Sequence, residues 1–142
     1  MTVKQLSVFV ENRKGRLGEV LGVLKQHGVS ILSMSLADTT EYGLLRLIVN
    51  DPEKGRENLL AAGFSGMVTD VLILKMPHRA GSLQEILTMI AEHDVSIEYM
   101  YGLSVGGTDA CVVMKTGDLD AAMRVLKAGN IETVTAEELA AL

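Results

Sequence analysis

Two short stretches carry the residue types that could do chemistry. Asn12-Arg13-Lys14-Gly15-Arg16-Leu17 follows an alternating apolar run (Leu6, Val8, Val10) and precedes a helical stripe. His78-Arg79-Ala80-Gly81-Ser82-Leu83 stands 66 residues later in the same setting. A glycine between a strand and a helix lets the backbone turn tightly, and the first N–H groups of the helix then point out of the bend. With the helix dipole they favour a carboxylate or phosphate. Asn12 and His78 add side chains that can accept from an ammonium group, and Arg13, Lys14, Arg16 and Arg79 add charge. A plainer account stands beside this one: turn glycines, an Asn12 that caps the bend, and a solvated charged loop.

The elements that must position these loops follow from periodicity. Val3–Val10 reads as a strand, and Leu17, Val20, Leu21 and Leu24 mark one face of a helix ended near Gly28. Val29–Leu36 reads as an edge strand with serines on its open face, and Leu44–Val49 as a central strand. Thr39-Thr40-Glu41 is expected to turn, Asn50-Asp51-Pro52 to start a helix, and Met67–Thr69 to form a short strand. The pattern then restarts with strand Val71–Met76, a stripe at Leu83, Ile86, Leu87 and Ile90, strands Val95–Tyr101 and Ala110–Met114, a helix capped by Asp118, and Ile131–Val134. Ala136–Leu142 reads as a last helical turn or a frayed end. At an offset of 66, read without a gap, Arg13/Arg79, Gly15/Gly81, His27/His93, Ser30/Ser96, Leu60/Leu126 and Gly63/Gly129 are identical.

The chain is therefore expected to be a tandem duplication, residues 1–69 and 70–142. Each copy is β-α-β-β-α-β, an α+β ferredoxin-like sandwich with an antiparallel sheet and helices on one face. A copy this small buries only on the order of 60% of its unfolded surface, and almost no linker separates the two, so docking into one rigid body is expected. Gly18 and Gly22 dilute the first helix, and a close helix–helix approach would account for them.

Composition narrows the function classes. The net charge of −5 and the absence of tryptophan argue against nucleic acid. No apolar run reaches the roughly 18 residues of a membrane helix, and no signal-peptide core precedes the first strand. A cytoplasmic protein is expected. A single cysteine, Cys111, and three dispersed histidines offer neither a disulfide framework nor a metal cluster within one chain, and no cofactor motif is present. There is no Cys/His pair at useful spacing and no G-x-S-x-G elbow, so no catalytic residue is assigned.

The element order and the N-x-x-G-x-L junction resemble the ACT domain, a small amino-acid-sensing module, here in two copies spanning nearly the whole chain. Val10-Glu11-Asn12-Arg13-Lys14-Gly15 followed by His27-Gly28-Val29-Ser30-Ile31 most resembles the regulatory domain of phosphoglycerate dehydrogenase. The resemblance implies a non-catalytic regulatory protein, associating side by side through second strands, with a free amino acid between units. It assigns ligand contacts to Asn12 and Ser30, and to His78 and Ser96; with the rest of each junction loop and strand start, the candidate residues are Asn12, Arg13, Lys14, Gly15, Arg16, Leu17, Ser30 and Ile31 in the first copy. In the second they are His78, Arg79, Ala80, Gly81, Ser82, Leu83, Ser96 and Ile97. Val10 and Met76 stand where the serine-binding relative has histidine, and His78 replaces the motif asparagine, so serine is not implied and the two sites are unequal. A homodimer and a regulated metabolic enzyme are the partners implied. Two other readings stand beside this one: an interaction subunit that associates through strand edges without a ligand, and a small enzyme with Arg13 or Arg79 at a phosphate.

Overall fold

The computed structural model describes residues 1–38 and 41–142. Of the expected turn Thr39-Thr40-Glu41, the first two residues lie outside that set. The chain divides into two compact units. The first unit is Lys4–Thr69 with Ala140–Leu142, and the second is Asp70–Leu139 with Met1–Val3.

In the first unit, β1 (Val3–Glu11) pairs antiparallel with β3 (Tyr42–Val49), which pairs with β2 (Ile31–Asp38). Alternation sets the face: Leu6 opposes Leu47 and Val8 opposes Leu45, all four without solvent exposure. The start of β4 (Ser65–Pro77) runs beside β1, where a Cβ on Gly66 would lie 3.6 Å from the Ser7 carbonyl oxygen. Helices α1 (Arg16–Gln26) and α2 (Pro52–Ala61) cover one side, burying Val20, Leu24 and Leu59. The start of α2 follows from its sequence: Pro52 takes the first turn, and the Asp51 carboxylate accepts from the Lys54 N–H at 3.2 Å.

The second unit repeats the plan. β4 pairs with β6 (Asp109–Thr116), β6 pairs with β5 (Ile97–Leu103), and β7 (Glu132–Thr133) flanks β4. Helices α3 (Ser82–Ala91) and α4 (Leu119–Ala128) close the core of Leu72, Leu74, Met76, Ile86, Ile90, Met114 and Leu126. As expected, the first and third strands are central, the second is at the edge, and Asp118 caps α4 through the Ala121 N–H at 3.0 Å. The final segment folds as α5 (Ala136–Ala140), because Thr135 and Glu138 form a reciprocal capping box at 3.4 and 3.2 Å.

Three details differ from the sequence reading. The short strand expected at Met67–Thr69 and the strand expected at Val71–Met76 both lie within β4. β2 and β5 begin at Ile31 and Ile97, two residues later than expected. The copies also do not align without a gap. Ile31 pairs with Val49 and Ile97 with Thr116, so the offset is 66 in β2 and β5 but 67 in β3 and β6. The extra residue falls between β5 and β6. Beyond it, buried Leu59 matches buried Leu126, while Leu60 is exposed.

Gly18 and Gly22 are both exposed, and an added Cβ at either would meet nothing within 4 Å. Gly22→Ala is therefore expected to raise stability by about 0.5–1 kcal/mol through helix propensity. Urea unfolding of the variant checks this, and a loss instead would show that a second chain packs on that face.

Candidate functional site

Both junctions have the same backbone. β1 ends at Glu11, the Arg13 N–H donates to the Glu11 carbonyl at 2.7 Å, the Arg16 N–H donates to the Arg13 carbonyl at 3.1 Å, and Gly15 sits at φ 83. In the second unit the Arg79 N–H donates to the Pro77 carbonyl at 2.9 Å, the Ser82 N–H to the Arg79 carbonyl at 3.3 Å, and Gly81 sits at φ 91. Positive φ is why glycine stands at both positions. Neither helix has a side-chain cap; the N–H groups of Arg16 and Ser82 are used within the turn and those of Glu19 and Glu85 bond to the glycine carbonyls, which leaves the second and third N–H of each helix to meet an acceptor.

The side chains diverge. Asn12, Arg13, Lys14 and Gly15 are exposed, and Leu17 packs on the first core. The Asn12 side chain has no hydrogen-bond partner among the described residues, while its backbone N–H donates to the Glu41 carbonyl at 3.1 Å. Arg13 makes a loose exposed pair with Glu11 at 3.8 Å. Arg16 turns inward: its guanidinium carbon lies 4.1 Å from the Phe64 ring centroid and its Nη1 lies 2.6 Å from a Glu19 carboxylate oxygen. Ser30 precedes β2, where its N–H donates to Asn50 Oδ1 at 2.9 Å and its carbonyl accepts the Asn50 N–H at 3.1 Å. Ile31, the first residue of β2, packs against the core.

In the second unit, Ser96 is exposed with its carbonyl accepting the Gly117 N–H at 3.2 Å, and Ile97 and Leu83 pack against the core. His78, Arg79, Ala80 and Gly81 are exposed, whereas Ser82 is only 5% exposed. A cleft of about 290 Å³ opens here between the start of α3 and the β4–β7 pair. It brings Arg79 and Ser82, both expected, together with Lys75, Glu85 and Asp109. Asn130, Ile131 and Glu132 complete the wall, and sequence reasoning missed all three. They arrive because β7 pairs with β4, setting Glu132 opposite Lys75. The signal for Asn130 was its place just past a helix end, where a non-glycine residue holds φ 56. The Ser82 hydroxyl is buried without a partner, which costs free energy unless something bonds to it. Arg79 Nη2 lies 3.3 Å from a Glu85 carboxylate oxygen at the exposed rim.

His78 borders a different, open hollow formed with Gly102, Leu103, Ser104, Thr108 and Cys111. Burial, opposed by Lys75 and reinforced by Asp109 and Glu138, raises the Cys111 thiol above its ordinary value of 9.0. Cys111 is thus expected to alkylate slowly with iodoacetamide near pH 8 in the folded protein and rapidly after unfolding in urea. Because the raised value favours the protonated form in the native state, its contribution to stability is present below pH 9 and fades as the pH rises through the folded value. Among the described residues no group of three His, Cys, Asp or Glu side chains could hold a metal, and no helix is long and apolar enough to cross a membrane.

Two β-α-β-β-α-β units, each with a left-handed glycine before an uncapped helix, define a tandem α+β class built around paired strand–helix junctions. The chain belongs to the ACT domain pair family, which it matches over residues 1–142. A protein of Bacteroides thetaiotaomicron with a crystal structure is 34% identical, with a TM-score of 0.94 over 100% of this chain and 98% of that one. The ligand-free regulatory subunit of aspartate kinase from Thermus thermophilus shares the fold at 15% identity and a TM-score of 0.62, covering 88% of this chain and 91% of that one. The corresponding subunit from Thermus flavus does so at 12% identity and 0.61, over 88% and 90%. No curated protein matches the chain significantly.

Proposed function

We propose that this protein is a non-catalytic cytoplasmic regulator that binds a free amino acid at its strand–helix junctions and modulates a metabolic enzyme. The observation that carries this reading is the repeated junction of an ACT domain pair, with glycine at φ 83 and 91 and both helices lacking a side-chain cap. Such a junction offers N–H donors to a carboxylate, while Asn12 or His78 and strand carbonyls accept from an ammonium group. In this reading the loop Asn12–Leu17 is completed by Ser96–Met100 of a neighbouring copy, and His78–Leu83 by Ser30–Met34. The neighbouring copy belongs to the second chain of a homodimer. Regulatory subunits of aspartate kinase with the same fold support the class of output.

A second reading, an interaction subunit that binds no ligand, is favoured by one observation. Met34 and Leu36 oppose core residues Leu47 and Leu45 yet remain 40% and 49% exposed at the edge strand, as for a strand that awaits cover.

Thermal-shift and calorimetric titration against the twenty amino acids separates the two. A ligand at 100 times its dissociation constant stabilises the fold by about 2.7 kcal/mol. Silence from all of them overturns the amino-acid reading. Asn12→Ala and His78→Ala then report which junction is used, and unchanged binding in both refutes the assignment of the ligand to these two side chains.

A further inference from the structure

The two copies differ where their first helices begin. Arg16 and Ser82 are the first residues of α1 and α3, and Glu19 and Glu85 follow three residues on. Phe64 and Ile131 are matched by their hydrogen bonds, each N–H donating to the carbonyl of a buried leucine, Leu59 or Leu126, at 2.9 Å. In the first unit these positions form a filled site. The Arg16 side chain, 18% exposed, lies over Phe64 and against Glu19. In the second unit the carboxylate of Glu85 remains, paired at the exposed rim with Arg79 Nη2 at 3.3 Å, while a serine hydroxymethyl stands at the Arg16 position and an aliphatic chain at the Phe64 position. The cleft of about 290 Å³ lies where those groups are missing.

Resting on the amino-acid reading above, we infer that this cleft binds one basic amino acid per chain. Its cationic end takes the position that the Arg16 guanidinium holds in the first unit, whose own site Arg16 closes. Three observations carry the assignment. Ser82 lines the cleft and its buried hydroxyl has no partner, an unmet hydrogen bond at the start of α3 that a ligand carboxylate satisfies once a small side-chain shift exposes it. Glu85, Asp109 and Glu132 outnumber Lys75 and Arg79 in the lining, which suits a ligand with two cationic groups and one carboxylate and disfavours phosphates. The volume is at the lower end for ligand sites, the size of an amino acid rather than a nucleotide. Arg16 shows the chemistry directly, because the protein has placed a basic side chain of its own in the equivalent space.

The test is calorimetry on the full chain with lysine, arginine, leucine and glutamate. Lysine or arginine is expected to bind with a stoichiometry of one per chain. The double variant Ser82→Arg/Ile131→Phe, which copies the first unit's filling into the second, is expected to weaken binding at least tenfold without lowering the thermal midpoint. Should that variant fail to fold, Ser82→Ala serves, with a several-fold loss expected. Binding of leucine or glutamate without lysine or arginine, two ligands per chain, or binding unmoved by the cleft variants would overturn this inference and leave the amino-acid reading standing. No binding of any amino acid would overturn both.

Discussion

Leu6→Ala is expected to cost about 2–5 kcal/mol of stability, measured as a drop in the urea midpoint with little change in slope. Leu6 has no solvent exposure, opposes Leu47 across the β1–β3 ladder and lies under α2, where its Cδ1 would be 2.9 Å from a Cβ placed on Gly55. Truncation leaves a cavity walled by a sheet and a helix that cannot both move inward. The loss is large against a total of roughly 5–15 kcal/mol for a typical domain. The same geometry fixes a second result. Gly55→Ala alone overpacks against Leu6 Cδ1, and against Leu24 Cδ2 at 3.4 Å. In the double variant the new methyl enters the vacated space, so the two losses are expected to be less than additive. Strict additivity would show that the helix shifts instead of the cavity filling.

The second large effect is at the junction. Gly81→Ala is expected to destabilise by about 1–2 kcal/mol, because φ 91 is a conformation a Cβ resists, although the nearest atom to that Cβ would be Glu85 Oε1 at 3.9 Å. Gly15→Ala at φ 83, with open space around it, is expected to cost the same amount for the same reason. The strain is in the backbone and not in crowding. Relaxing it turns the α3 N–H groups and Ser82 away from the cleft, so Gly81→Ala is also expected to weaken amino-acid binding. Paired unfolding and titration curves measure both effects on one sample, and an unstrained Gly81→Ala protein would show that the junction is looser than its dihedrals imply.

Much of the fold was legible because local signals agree with the global arrangement. The switch from alternation to helical spacing at Gly15 and Gly81, the Asp51-Pro52 start and the Asp118 cap each have a counterpart in the structure. The extra residue between β5 and β6 was hidden by coincidence. Leu60/Leu126 and Gly63/Gly129 are identical at the wrong offset, and a helix with apolar residues at both Leu59 and Leu60 does not reveal which one faces inward until the sheet pairing is known. The cleft was half legible. Ser82 was expected at the junction for its N–H, but its burial is invisible beside an equivalent arginine. Asn130, Ile131 and Glu132 come from about fifty residues further along the chain; a closing segment was expected at Ile131–Val134, but its register against β4, which sets Glu132 opposite Lys75, is not written in its period.

Arg16 has one more consequence. A side chain joined to its own pocket by a few bonds is present there at an effective concentration that free metabolites do not match. If the second copy binds as inferred above, the first copy is insensitive to the pool the second samples. A chain with a single titratable vacancy follows a simple hyperbolic saturation curve. Any sigmoidal response has to arise from coupling between chains, which makes its steepness a measure of assembly rather than of the fold itself.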